Sequence, residues 1–268
     1  MRRLLLLALL SILAAPPSLF ARTRKTPRTA KAGAAAVEEP ERRFDNLDSP
    51  IEPDTDLIDV PTAGILDVGG FATQTRFFSE GGVMEWLNFG VVHRVNLGAS
   101  MNVDRLIGTG SPIQLTRPDL QLKFRFYDGD HAIPAFAMGF DGQGYLYNRQ
   151  EKRYNQRQRG VYLVGSQEIV WPGLQGHAGI NISDFDSNAL FGFLGASLNI
   201  QDKVVFMAEW DNLNNYIDSR LNLGMKVYVT PNAHIGFSAR GVGQGGNFSN
   251  GVSRGPERVF QFKYSGNF

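Results

Sequence analysis

The segment Phe260-Gln-Phe-Lys-Tyr-Ser-Gly-Asn-Phe268 at the end of the sequence decides the fold class. Phe260, Phe262, Tyr264 and Phe268 share one parity, and Gln261, Lys263, Ser265 and Asn267 share the other. Because successive side chains of a β-strand point to opposite faces, the segment predicts a strand with one aromatic face and one polar face.

This aromatic ending resembles the last strand of bacterial outer-membrane β-barrels. The resemblance implies that the barrel-assembly machinery reads Phe260, Phe262, Tyr264 and Phe268 as an assembly signal. Gly266 departs from the alternation and weakens the pattern at one position.

The chain after residue 59 repeats this alternation in short segments separated by Gly, Asp, Asn and Pro, with no apolar run of helix length. Segments of this kind predict β-strands, and most are long enough to cross a tilted bilayer. We predict an all-β fold, a transmembrane antiparallel up-and-down β-barrel of about 12 strands. The segments lie near 67–78, 83–92, 95–106, 115–127, 132–142, 158–170, 175–185, 189–200, 203–211, 215–230, 233–243 and 256–268.

The connections between these segments alternate in length. Tight turns such as Gln201-Asp202 and Pro231-Asn232 alternate with longer stretches such as 142–158 and 243–255. Short periplasmic turns opposite long extracellular loops are typical of an outer-membrane barrel. A water-soluble β-sandwich is the rival fold, but it leaves this asymmetry unexplained.

Charged residues fall on the parity opposite the apolar residues. An Arg or Lys facing lipid at the midplane costs about 2–4 kcal/mol, so the charged parity is expected to face inward. These side chains predict either a hydrated lumen that suits anionic solutes or a narrow interior filled by paired charges. The lumen candidates are Arg76, Asp104, Lys123, Arg125, Glu209, Asp211, Arg220, Lys226 and Arg240.

The first part of the chain has a different composition. Residues 1–21 predict a secretory signal peptide, with Arg2 and Arg3 before an apolar core; an uncleaved anchor is the alternative. Residues 22–58 contain little apolar area, which predicts a disordered periplasmic segment, and residues 59–268 are assigned to the barrel. The sequence has no Cys, so the exported chain forms no disulfides.

The predicted loop 145–159 interleaves aromatic and basic side chains. Aromatic rings offer flat faces to sugars, and Arg matches carboxylates and phosphates, so the loop predicts contact with an acidic polysaccharide. The alternative is a solvated loop resting on the phosphates of lipopolysaccharide. The glycan-contact candidates are Tyr145, Tyr147, Arg149, Lys152, Arg153, Tyr154, Arg157 and Arg159.

Enzyme chemistry has little support in the sequence. His93, His131, His177 and His234 fall in or beside the predicted periplasmic turns, and no H-E-x-x-H, G-x-S-x-G or P-loop spacing is present. We therefore predict a non-enzymatic protein with no cofactor, no catalytic residues and no metal. The net charge of +1 argues against a nucleic-acid partner.

Three segments resemble the YjbH-type outer-membrane proteins: Ile58–Ala63, Leu87–Gly108 and Leu120–Gly144, the last including Lys123-Phe-Arg-Phe126. The resemblance implies an outer-membrane barrel linked with exopolysaccharide production and secretion. The expected partners are outer-membrane lipid, lipopolysaccharide, acidic polysaccharide and export components.

The first functional hypothesis is therefore an accessory in exopolysaccharide export or surface assembly. The alternative is a small diffusion channel for anionic solutes. A barrel hydrolase is a third hypothesis with less support.

Overall fold

The computed structural model describes residues 51–110, 112–130, 132–183, 189–214, 219–248, 251 and 253–268. Almost all regular structure in this part of the chain is β-strand, and the described residues include no helix long and apolar enough to cross a membrane. The strands are β1 (Gly70–Phe78), β2 (Gly82–Val92), β3 (Val95–Asp104), β4 (Gln114–Leu115), β5 (Asp119–Tyr127), β6 (Ala135–Asp141), β7 (Tyr145–Asn148), β8 (Arg153–Gln156), β9 (Gly160–Glu168), β10 (Leu174–Ile182), β11 (Leu190–Ile200), β12 (Val204–Asp211), β13 (Arg220–Thr230), β14 (Ala233–Val242) and β15 (Glu257–Asn267).

Twelve of these strands form one closed antiparallel sheet, in the order β1-β2-β3-β5-β6-β9-β10-β11-β12-β13-β14-β15. The sheet closes where β1 pairs with β15, from Gly70 opposite Asn267 to Phe77 opposite Phe260. The short strand β4 adds to β3, and β7 and β8 form a separate hairpin. The predicted up-and-down barrel is confirmed, and the sandwich is wrong because the sheet has no second layer to pack against.

The longest connections lie at one end of the barrel. The connections 93–94, 201–203 and 231–232 are tight turns, whereas 105–118 and 142–159 are long and lie at the other end. Arg94, Gln201 and Asp202 adopt positive φ angles of 67°, 53° and 54°, which tight turns between antiparallel strands require. We refer to these two ends as the short-turn end and the long-loop end.

The outer surface of the barrel is apolar. On β5, Leu120, Leu122, Phe124 and Phe126 are 63%, 46%, 40% and 42% exposed, while Lys123 and Arg125 between them are buried. A large exposed apolar band is costly in water, since such surface is normally buried. This surface is the one that a barrel in a bilayer presents to hydrocarbon.

The predicted assembly signal lies on this outer surface. Phe260, Phe262 and Tyr264 are exposed on β15, and Phe268 follows the end of the strand. Gly266 faces Phe71 on β1, and a Cβ at Gly266 would lie 3.2 Å from the Phe71 ring. That ring in turn lies 4.9 Å from the ring of Phe268, so the glycine gives space to an aromatic cluster at the seam. Recognition by the assembly machinery stays a prediction.

Glu85 is an exception to the expected inward orientation of charge. It lies on the outward parity of β2, opposite Thr75 of β1. Its two carboxylate oxygens each accept a hydrogen bond of 2.6 Å, one from Thr73 Oγ1 and one from Thr75 Oγ1. The neighbouring strand therefore supplies the polar contacts that hydrocarbon lacks.

The chain before β1 enters the barrel, which changes the predicted domain boundary. The signal peptide (1–21) and most of the segment 22–58 lie outside the described residues. The sequence predicts disorder for residues 51–58, but Leu57 and Ile58 are 0% and 2% exposed. These side chains pack against the barrel wall, which offsets the entropy of ordering a segment whose overall composition is polar.

Candidate functional site in the barrel lumen

Residues 51–66, here called the lumen loop, fold back on themselves inside the barrel. Asp56 forms an antiparallel bridge with Pro61, and Leu57 N donates to Val60 O at 2.9 Å. Thr62 N donates to Thr55 O at 3.2 Å. These bonds make a tight turn with its tip at residues 57–60.

The tip is anchored by apolar packing against one side of the wall. Leu57 and Ile58 pack with Val205 and Met207 of β12. Val60 and Ala63 belong to a second buried cluster on neighbouring strands, which also contains Ala135, Ala137, Tyr162, Val164 and Phe193. The inward side of β6, β9, β11 and β12 therefore supplies a small hydrophobic core for the loop.

Two inward-facing glycines make room for the tip. A Cβ at Gly195 of β11 would lie 2.7 Å from Leu57 Cδ1, and a Cβ at Gly224 of β13 would lie 2.9 Å from Ile58 Cδ1. Both distances are shorter than normal carbon contacts. The wall is therefore shaped to accept these two side chains.

Glu209 of β12 binds the backbone of the tip. Its Oε1 accepts the N–H groups of Ile58 at 2.6 Å and Val60 at 2.8 Å, and also that of Asp59 at 2.9 Å. Asn222 Nδ2 donates to Oε2 at 3.0 Å. Hydrogen bonds to an ionised acceptor are stronger than neutral ones, so this carboxylate fixes the turn to the wall.

Asp59, at the tip, lies between two guanidinium groups. Arg76 Nη1 of β1 is 2.9 Å from Oδ1, and Arg240 Nε of β14 is 2.7 Å from Oδ2. Burial by itself would raise the pKa of Asp59, but the charges of Arg240 and Arg76 outweigh it and lower this pKa from its usual value. Asp59 is therefore a carboxylate at neutral pH.

Asp59 and Arg240 belong to a closed ring of polar contacts. Arg240 Nη2 donates to Gln156 Oε1 at 2.7 Å, and Arg220 Nη1 donates to the same oxygen at 3.3 Å. Arg220 and Arg159 both pair with Asp211 at 2.7 Å. Arg159 Nη2 then donates to Asp59 O at 2.9 Å and closes the ring.

Three lysines hold the stem of the loop. Lys123 Nζ donates to the carbonyl oxygens of Thr55, Thr62 and Gly64. The distance from Lys226 Nζ to Asp54 Oδ1 is 2.7 Å, and that from Lys263 Nζ to Asp56 Oδ1 is 3.7 Å. Cations of the wall are thus paired with the acidic groups and carbonyl oxygens of the loop.

The lumen loop leaves a cavity of about 190 Å³ inside the barrel. Its lining includes Asp59 of the loop and Arg157 and Arg254 at the long-loop end. It also reaches Asn96, the second residue of β3 after the turn 93–94. The cavity therefore extends beside the loop from the long-loop end almost to the short-turn end.

The nine predicted lumen residues all lie on the inner face of the barrel. Seven of them take part in the contacts with the loop or in the ring around Asp59. The other two are separate: Asp104 accepts from Asn102 Nδ2 at 2.9 Å, and Arg125 Nε lies 3.0 Å from Asp128 Oδ1. The inner face is thus partly filled by paired charges and partly hollow, a combination of the two predicted alternatives.

The predicted glycan-contact residues do not form one exposed surface. Tyr145, Tyr154 and Arg159 are buried, so the expectation that they lie on an external loop is wrong. Tyr145 contacts Arg76 and Asp59, and Tyr154 donates to Asp119. Hydrogen bonding of the β7–β8 hairpin turns these rings inward. Arg149, Lys152, Arg153 and Arg157 are exposed, and Tyr147 is half-buried.

Sequence reasoning missed the acidic residues of the loop and the inward orientation of two histidines. His177 and His234 lie inside strands and face the lumen, and His177 Nδ1 is 2.8 Å from Ser166 Oγ. His93 lies in a turn, and His131 lies outside the described residues. No group of three or more His, Asp or Glu among the described residues is placed to hold a metal ion.

Comparisons with known proteins find similar folds but no family. No family model matches the sequence, and no curated protein matches it. Among solved structures, the NanC porin matches 74% of this chain and 99% of its own, with 9% identity and a TM-score of 0.39. The outer-membrane protein Omp33 of Acinetobacter baumannii matches 76% and 99%, with 10% identity and a TM-score of 0.34.

A mutant porin of Rh. blastica matches 69% of this chain with 8% identity and a TM-score of 0.35. The matched region spans 55% of the length of that porin. These values describe similarity of fold alone.

Proposed function

We propose that this protein is a non-enzymatic outer-membrane channel for small anionic solutes, narrowed from inside by the lumen loop. The observation that carries the proposal is the cavity beside the loop, whose lining extends from Arg254 at the long-loop end to Asn96 near the short-turn end. The apolar outer surface of a closed barrel supports the membrane location.

The charges along the cavity favour anions. Six basic side chains line it, against four acidic ones. Three of the basic side chains, Arg76, Arg159 and Arg220, are paired with Asp59 and Asp211, so the excess over the whole lining is two positive charges. A lumen with an excess of one charge raises the local concentration of ions of the opposite sign.

Planar-bilayer recordings of purified protein test the proposal. In a salt gradient we expect a small conductance with a reversal potential that shows anion selectivity. Replacing residues 55–62 by a Gly-Ser linker of equal length removes the anchoring side chains, so the conductance should rise severalfold. Far-UV circular dichroism and heat-modifiable gel mobility report whether the barrel of this variant is folded.

A matched pair of variants tests whether basic side chains in the cavity cause the anion selectivity. Arg220→Gln removes a cation that lines the cavity, whereas Lys203→Gln changes a cation in the turn between β11 and β12. Only the first should reduce anion selectivity. No conductance in wild type and loop variant alike, with both barrels folded, would reject the channel.

An accessory role in exopolysaccharide export has less support from the geometry, because Tyr145 and Tyr154 are buried and offer no flat face to a sugar. Glycan contact is then limited to the exposed part of the β7–β8 hairpin, with Arg149, Lys152 and Arg153. Replacing these three by Gln and measuring polysaccharide binding tests this second hypothesis.

A further inference from the structure

Asp59 lies in an arrangement that recognises a carboxylate in general. One guanidinium contacts each oxygen, at 2.9 Å for Arg76 and 2.7 Å for Arg240. Tyr145 Oη adds a third donor, 3.2 Å from Oδ1. Separate guanidinium contacts to the two oxygens of a carboxylate fix both its position and its orientation.

The three donors are also held by contacts that do not involve the loop. Arg76 Nη2 donates to Gln261 Oε1 at 3.0 Å, and its guanidinium lies 4.8 Å from the ring centre of Trp86. Arg240 Nη1 lies 3.1 Å from Glu257 Oε2, and its guanidinium lies 3.8 Å from the ring centre of Tyr145. Arg76 Nη2 also donates to Ile58 O of the loop at 2.6 Å. We expect the wall and hairpin contacts to keep these groups in place when the Asp59 side chain is removed.

The arrangement borders the 190 Å³ cavity through Asp59, Arg76, Trp86 and Tyr145, which line it. Arg240 contacts Asp59 but is not part of this lining. A solute carboxylate that reaches this point meets Arg76 and Arg240, which are already paired with the carboxylate of Asp59. The solute and Asp59 therefore compete for the same donors.

We propose that Arg76, Arg240 and Tyr145 form a binding site for small carboxylates, which Asp59 occupies as a tethered competitor. A carboxylate solute that takes the place of Asp59 removes one of the contacts that hold the tip of the lumen loop. The competition makes the constriction responsive to the solute. This consequence for transport rests on the proposed channel function, whereas the binding site itself does not.

Chemical rescue tests the site. Asp59→Ala removes a carboxylate group of the size of formate. The buried arginines Arg76 and Arg240 then lose their contacts with this carboxylate. We expect the midpoint of thermal unfolding of the full chain in detergent to fall by about 6 °C or more. Sodium formate should restore most of this loss, whereas sodium chloride at equal ionic strength should restore much less.

Two further variants make the result specific. In Asp59→Ala/Arg240→Gln the formate effect should disappear, because one of the two guanidinium contacts is gone. In Asp202→Asn, which loses a carboxylate that accepts from Asn199 Nδ2 at 2.7 Å in the turn between β11 and β12, formate and chloride should act alike. The wild type should gain little from formate, because Asp59 already fills the site.

The outcomes separate this site from the channel. Equal rescue by formate and chloride, or rescue that persists without Arg240, would overturn the carboxylate site. So would a folded Asp59→Ala protein that formate does not stabilise. None of these readouts depends on conductance, so a failure of the bilayer recordings would reject the channel and leave the site standing.

Discussion

The backbone N–H of Val60 lies 2.8 Å from Oε1 of Glu209, although 149 positions separate the two residues in the chain. The same oxygen accepts from Ile58 N. A single carboxylate of β12 thus anchors the turn of a segment that precedes the first strand. This contact directly links the barrel wall to the lumen loop.

Removing this carboxylate should loosen the loop. Glu209→Ala leaves the N–H groups of residues 58–60 without their acceptor, and hydrogen bonds to charged groups contribute about 1.5–3 kcal/mol each. We expect the free energy of unfolding to fall by at least that amount and the conductance to rise. Glu168→Ala at the end of β9 is the control. A folded Glu209→Ala protein with unchanged stability and conductance would contradict this role.

A disulfide can lock the loop, because the sequence contains no Cys that would compete. A Cβ at Gly195 would lie 3.5 Å from Val60 Cγ1, which is compatible with disulfide geometry in Val60→Cys/Gly195→Cys. We expect carboxylate solutes to increase the conductance of the reduced form but not of the oxidised form. The single variant Gly195→Cys controls for the shift that its Cβ requires of Leu57. A carboxylate response that survives oxidation would show that the loop does not move.

A single charged substitution tests whether the outer surface of the barrel faces hydrocarbon. Met225 lies on the outward parity of β13 between Phe206 and Phe237. Met225→Arg should destabilise the protein by about 2–4 kcal/mol in urea titrations with phospholipid vesicles. Asn232→Arg, in the turn between β13 and β14, should change the stability little. Equal stabilities of both variants would mean that this surface does not face hydrocarbon.

Protonation of Asp54 and Asp59 at low pH should release the lumen loop. Burial acts to raise the pKa values of Asp54 and Asp59, but the charges of Lys226 and of Arg240, respectively, outweigh it and lower both. A lowered folded-state pKa gives stability that is complete above the usual value of 3.8 and is lost as pH falls below it. We expect the contacts of Asp54 and Asp59 to be lost, and the conductance to rise, as pH falls below about 4.

A matched variant identifies the groups responsible. Asp59→Asn removes one of the titrating carboxylates, so its conductance should already be raised at neutral pH and should change less on acidification. A transition in the wild type centred near pH 6 would point to histidine instead and would contradict the assignment.

The barrel was predictable because each strand carries its own signal. Alternation along β5 and β15 is visible in the sequence, and the cost of charge in hydrocarbon assigns one parity to the interior. The outward position of Glu85 does not follow this rule. Its two threonine partners lie on another strand, and alternation alone does not predict the register between strands.

The lumen loop was not predictable for a different reason. Leu57, Ile58 and Val60 are too few to indicate a core, and their partners lie far along the chain, on β6, β9, β11 and β12. The inward glycines 195 and 224 were the available hint, since small residues on an inner face leave space for something else. Burial of Tyr145 and Tyr154 likewise depends on the β7–β8 pairing.

The lumen loop also braces the place where the barrel closes. Arg76 of β1 binds Asp59, and Lys263 of β15 donates to Thr55 Oγ1 at 3.1 Å. These are the two strands that join the ends of the sheet. The loop therefore connects the first strand of the barrel to the last from inside. Mechanical or thermal separation of β1 from β15 has to break these polar contacts in the lumen as well as the hydrogen bonds between the two strands.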